Sequence, residues 1–129
     1  MLRVGILTSG LIALSGCSHS CANYQISRAE VQNGRHSAVM FQRDCGATTG
    51  FSTQISVVEQ GDEPSGSGNV FRADANNGAA ATGGWGGPWA EMKWLAPDHL
   101  LIRYASKSRL FEQAEEVSGV KITYEQVAR

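Results

Sequence analysis

Ala90-Glu91-Met92-Lys93-Trp94-Leu95-Ala96-Pro97-Asp98-His99-Leu100-Leu101-Ile102-Arg103-Tyr104-Ala105 is the stretch that decides the fold. Ala90, Met92 and Trp94 alternate with Glu91, Lys93 and Leu95; beyond the turn, Leu100, Ile102 and Tyr104 alternate with Leu101, Arg103 and Ala105. A strand sends successive side chains to opposite faces, so this period of two predicts two strands. The Ala96-Pro97-Asp98-His99 segment between them is turn chemistry, with proline fixing φ and aspartate able to bond nearby backbone. Together they predict an antiparallel hairpin.

Working outward, Lys107-Ser108-Arg109 reads as a basic turn, and Ser118-Gly119 turns into the alternating Val120-Lys121-Ile122-Thr123-Tyr124-Glu125. Residues 111–117 stay open between a helical turn, favoured by Glu112, Glu115 and Glu116, and an edge strand. On the other side of the hairpin, residues 74–89 hold Asn76-Asn77-Gly78, three alanines and Thr82-Gly83-Gly84-Trp85-Gly86-Gly87-Pro88-Trp89. A long glycine-rich loop inside a small domain is functional or mobile. A short strand is expected around Val70-Phe71, and a flexible polar loop over residues 60–68. Phe51, Thr53, Ile55 and Val57 alternate with Ser52, Gln54, Ser56 and Val58 as in a half-buried strand. Ser37-Ala38-Val39-Met40-Phe41-Gln42-Arg43 reads as a buried strand behind the turn signal Asn33-Gly34. Between Tyr24 and Glu30 only Ile26 is clearly apolar, so no firm element is read there. The fold class is mainly β: a small antiparallel meander or sandwich of about six strands, with an N-terminal signal segment.

The totals agree. A chain of 129 residues, 42% hydrophobic and 18% charged, makes one folded domain. Fifteen glycines suit turns and loops rather than a helical bundle. The formal charge is −1, and without residues 1–16, which hold Arg3, ten basic residues face twelve acidic ones. Such a balance gives no electrostatic pull toward nucleic acid, which is not an expected partner.

The first residues form an export signal. Arg3 supplies positive charge, and residues 4–14 supply an apolar run too short to span a bilayer. Leu14-Ser15-Gly16-Cys17 is a lipoprotein cleavage box: the small residues fit the peptidase, and the Cys17 sulfur carries the diacylglycerol. The expected organisation is a signal peptide over 1–16, a lipidated tether over 17–23 and one β-rich domain over 24–129. Ser18 rather than aspartate after the cysteine points to the outer membrane in a two-membrane cell. Two or three acyl chains, palmitate among them, anchor stably where one would be marginal.

Three cysteines is an odd count for an exported chain. Lipidation takes Cys17 and leaves Cys21 and Cys45 to pair as a disulfide. Two other readings compete: a metal cluster of Cys17, His19, Cys21 and Cys45, and a Cys45 thiolate beside Asp44 with His36 or His99 as base. No spaced carboxylate pair, Ser-His-Asp order or zinc motif is legible, so no metal or other cofactor is expected.

The candidate binding loop is residues 44–54, where Asp44, Thr48, Thr49, Ser52, Thr53 and Gln54 cluster around Gly46 and Gly50. Small hydroxyls and exposed amides in a tight loop can hold an anion or a sugar; they can equally satisfy their own backbone. Trp85 joins the candidates, either as an exposed aromatic touching a partner or as a cap folded back on the core. The glycines around it lack the lysine and the following helix of a phosphate loop. The turn residue His99 reads as solvated, and neither His19 in the tether nor His36 beside a turn looks like a ligand.

Phe41-Gln42-Arg43-Asp44-Cys45-Gly46-Ala47-Thr48-Thr49-Gly50-Phe51-Ser52-Thr53-Gln54-Ile55-Ser56 resembles the signature of a family of small uncharacterised bacterial proteins. The resemblance continues at Gly68-Asn69-Val70-Phe71, Ala73-Asp74, Gly78-Ala79-Ala80 and the Trp94 to Tyr104 hairpin, covering residues 21–125. Gln32-Asn33-Gly34 stands where the family carries Pro-Asp-Gly, which preserves a turn. The resemblance implies kinship without an activity.

Three functions follow as expectations. The favoured one is a non-catalytic envelope module, held to the membrane by its lipid, that binds an envelope protein or peptidoglycan. The second is a small envelope hydrolase or transferase using the 44–54 loop. The third is a lysozyme-inhibitor-like lipoprotein, since Ser65-Gly66-Ser67-Gly68 followed by Phe71 resembles a loop of such inhibitors.

Overall fold

The computed structural model describes Gly5 and residues 20–46 and 50–129. The expected export signal, apart from Gly5, the expected lipidation site Cys17, and the loop candidates Thr48 and Thr49 lie outside the described residues. Among the described residues the alternating segments become nine strands and no helix: β1 (Ala22–Glu30), β2 (His36–Asp44), β3 (Ser52–Glu59), β4 (Phe71–Asp74), β5 (Ala90–Ala96), β6 (His99–Ala105), β7 (Arg109–Gln113), β8 (Glu116–Val117) and β9 (Val120–Val127). They form a five-stranded sheet, β1-β2-β3-β4-β7, and a four-stranded sheet, β5-β6-β9-β8. Alternate residues of both sheets share one core, so the expected small β sandwich is what the chain builds.

Three strands exceed the six expected. β1 forms although its sequence is polar, because backbone bonds to β2 need no apolar side chain. The ladder runs from Ala22 opposite Asp44 to Glu30 opposite Ser37, with a bulge at Ile26. Ala22 and Asn23, expected in the tether, therefore belong to the sheet. Residues 111–117 resolve toward the strand reading, as the end of β7 and the short β8.

Not every pairing is antiparallel: β6 and β9 run parallel, with His99 opposite Lys121 and Ala105 opposite Val127. Parallel neighbours need a long crossover. Residues 106–119 supply it by crossing to the other sheet as β7 and returning as β8. Alternation records which face a residue takes but not the strand's direction.

The core is centred on three rings. Phe71 lies 5.4 Å from Tyr104 and 6.2 Å from Tyr124, centroid to centroid, so rings from both sheets meet in the middle. The Tyr124 hydroxyl reaches the Ala114 carbonyl at 2.6 Å. Burial, with Glu112 nearby, pushes that phenol well above its ordinary pKa.

β2 and β3 are buried on both faces rather than one. Ala38, Met40, Ile55 and Val57 face the core, while Val39 and Phe41 are buried on the outer face, to which residues 60–68 are bonded through Gln54. That segment, expected as a flexible loop, is bonded to β1 and β3. Arg28 donates to the Asp62 carbonyl at 2.8 Å and pairs with Glu63 at 3.3 Å; Asn23 donates to the Gly66 carbonyl at 2.9 Å. The Gly68 N–H donates to Gln54 Oε1 at 2.8 Å, and a Cβ on Gly68 would fall 2.7 Å from the Phe71 carbonyl oxygen. Asn69 then acts as a backbone surrogate. Its side-chain oxygen accepts the Val57 N–H at 2.9 Å and its amide donates to the Val57 carbonyl at 3.0 Å. The Ser65-Gly66-Ser67-Gly68 run is thus part of a strap across the sheet.

Candidate functional site

Cys21 and Cys45 form a disulfide with their Cα atoms 4.1 Å apart. It closes the open end of the β1–β2 hairpin, opposite the turn where Asn33 takes φ 59°. The bond consumes both thiols, which removes the nucleophile reading of Cys45 and two ligands of the metal reading.

The 44–54 candidates do not converge on one point. Ser52, Thr53 and Gln54 stand on β3, and the pleat sends them alternately to opposite faces. Thr53 faces inward and is fully buried: its hydroxyl donates to the Pro88 carbonyl at 2.6 Å and accepts the Trp85 indole N–H at 2.8 Å. Trp85 is therefore the core cap of the two readings, half-buried against the inner cluster. The glycines serve that placement, since a Cβ on Gly83 would lie 2.1 Å from the indole ring. Asp44 is exposed and accepts the Gly46 N–H at 2.9 Å, a local turn contact. His36 stands at the other end of β2, eight residues from Asp44, roughly 26 Å along a strand. His99 shares that distant end, beside Asp98 and Pro97, which border the same hollow as His36. Neither imidazole is a base for Asp44 or Cys45.

Ser52 and Gln54 do meet a site, on the outer face. They line a cavity of about 280 Å³ together with Arg43, Cys45, Ser67 and Arg72; Asp74 and Phe111 complete its rim. The register explains the gathering. Phe41 faces Gln54 across β2–β3, Gln54 faces Arg72 across β3–β4, and Arg72 faces Glu112 across β4–β7. Arg43 and Ser52, two residues along their strands, share this face. The strap contributes Ser67, and a bulge in β7 turns Phe111 outward, 58% exposed. Sequence reading missed Arg43, Arg72, Ser67 and Phe111. The alternation Phe71-Arg72-Ala73-Asp74 was a usable signal, apolar inward and charged outward, but not which strands flank it.

Asp74 borders a second hollow of about 420 Å³ with Phe51, Thr82, Gly86 and Arg109. Burial alone would raise the Asp74 carboxyl. Hydrogen bonds from Arg109 and the Asn76 N–H, with the Arg109 charge, hold it below the ordinary carboxylate value. A carboxyl lowered on folding stabilises the protein above its unfolded pKa of about 3.9, and that contribution fades as pH falls through the folded value. Asp74→Asn should therefore cost up to about 1 kcal/mol at neutral pH, the pair being partly exposed. In urea melts, the gap between wild type and variant should close below roughly pH 4. A gap unchanged at acid pH would show that the ion pair is not its source.

No family model matches the chain, and no curated protein or solved structure does either.

Proposed function

We propose that this chain is a lipid-anchored, non-catalytic binding module of the bacterial cell envelope, and that it binds through the outer-face cavity beside the disulfide. The observation that carries the reading is the cavity itself, where two arginines, two hydroxyls and an amide converge next to an exposed aromatic ring. That is the composition of a recognition site, polar groups for orientation and an apolar surface for contact. The enzymatic alternative loses support because Asp44 lies far from both described histidines. The anchor rests on Leu14-Ser15-Gly16-Cys17. Cys21 follows Cys17 by four residue steps, a reach of roughly 14 Å at full extension. A lipidated Cys17 thus keeps the cavity, which Cys45 lines, close to the membrane surface, with the outer membrane as the proposed site.

Envelopes solubilised from cells carrying the tagged full chain provide the test. Wild type should retain an envelope component that a cavity-filling Ser52→Trp variant loses, with both accumulating equally. Equal recovery of every component would count against the cavity. Mass spectrometry of the mature N-terminus tests the anchor, and an unmodified Cys17 would overturn it.

A further inference from the structure

The charges around the cavity are not balanced within the protein. Asp74 is engaged by Arg109, whose Nε lies 3.1 Å from each carboxylate oxygen and whose Nη2 also bonds Oδ2. Arg43 instead gives one donor to a neutral acceptor, Asn23 Oδ1, at 2.8 Å. Among the described residues it has no carboxylate in ion-pair range. Arg72 reaches Glu112 through a single long contact of 3.4 Å, and its Nε is buried without a hydrogen-bond partner. Guanidinium forks bind best when two parallel N–H groups meet two oxygens. Here two forks border one cavity, and neither makes that bidentate contact within the protein.

We propose that the cavity binds the carboxylate of a small ligand, held by Arg43 and Arg72, with the ligand's body against Phe111. The proposal rests on the reading of the chain as a binding module and names its ligand class. Arg43, Arg72 and Arg109 set against Asp74 and Glu112 leave one positive charge, which suits a monoanion. A phosphate dianion would bring a second negative charge against Asp74 and Glu112. Ser52 Oγ accepts from Gln54 Nε2 at 3.2 Å, leaving its own hydrogen for the ligand. A volume of about 280 Å³ admits one sugar ring or a dipeptide. An acidic sugar and a peptide C-terminus share this chemistry, and the experiment separates them.

The test is an NMR titration of the mature domain with two matched pairs: glucuronate against glucose, and N-acetyl-alanyl-alanine against its C-terminal amide. At least one acid should shift the Ser52, Gln54 and Ser67 amides saturably and bind about tenfold tighter than its neutral twin. Which acid does so identifies the source. Arg43→Gln and Arg72→Gln should each weaken binding about tenfold. Arg35→Gln, an exposed arginine at the opposite end, should change nothing, and thermal melts verify that every variant folds. If the neutral twins bind the same residues equally well, the carboxylate proposal falls and the cavity remains a binding site. If neither pair shifts those amides while envelope capture still depends on the cavity, the ligand class is wrong and the module reading stands. If both fail, both readings are overturned.

Discussion

Phe71→Ala is expected to remove about 3–5 kcal/mol of stability, the usual loss for truncating a fully buried aromatic residue. Phe71 has no exposed surface and sits where the two sheets meet. Its ring packs against Tyr104 and Tyr124 from the opposite sheet, so alanine opens a void between the layers. Collapse is resisted further because the Tyr124 hydroxyl is bonded to the Ala114 carbonyl. Small domains have roughly 5–15 kcal/mol in total, so the variant should be marginal, with a melting temperature at least about 12 °C lower. Phe71→Leu keeps most of the volume and should lose less than half as much. Urea denaturation measures both, and a loss under about 1 kcal/mol for the alanine variant would refute the shared core.

Replacing Cys21 and Cys45 together by serine is expected to cost about 3–4 kcal/mol, most of it through the unfolded chain. The sequence separation of 24 residues sets that magnitude through loop-closure entropy. The native state changes as well, since the disulfide closes the end of β1 that supplies Asn23. Asn23 accepts from Arg43 and donates to Gly66 of the strap. Hydrogen exchange should therefore quicken first at the start of β1 and along residues 60–68, while β5 and β6 stay protected at the global rate. A reducing agent should reproduce the double variant's melting curve in the wild type. No difference between oxidised and reduced protein would show that the bond carries no stability.

The parts of the fold legible in the sequence are those governed by neighbours along the chain. The β5–β6 hairpin, β2, β3 and β9 each carry their own alternation or apolar run, and Asn33-Gly34 announces its turn. β1 was not legible because an edge strand forms from backbone bonds, and its polar side chains serve Arg28 and Asn23 contacts with a strap some forty residues away. The strap itself looked like a solvated loop, since nothing in Gly-Asp-Glu-Pro-Ser-Gly-Ser-Gly reveals its bonds to β1 and β3. The parallel β6–β9 pair was hidden for the same reason: its partners are set by topology, not by local pattern. Site prediction divided likewise. Ser52 and Gln54 were found by composition, but Thr53 between them belongs to the core, and Trp85 is its partner rather than a surface ligand. Arg43 and Arg72 come together only through the registers of three adjacent strand pairs.

The position of β9 sets an order of events. It is the last of the nine strands to be synthesised, yet it lies between β6 and β8, and its Tyr124 completes the ring cluster around Phe71. Until residues 120–127 emerge, β6 keeps a naked edge and the central cluster lacks one wall. In a chain made vectorially, the four-stranded sheet and the ring cluster are therefore completed last. Late completion would suit the exported lipoprotein proposed above, which would cross a membrane before it folds, and the chain closes on its final strand as a clasp.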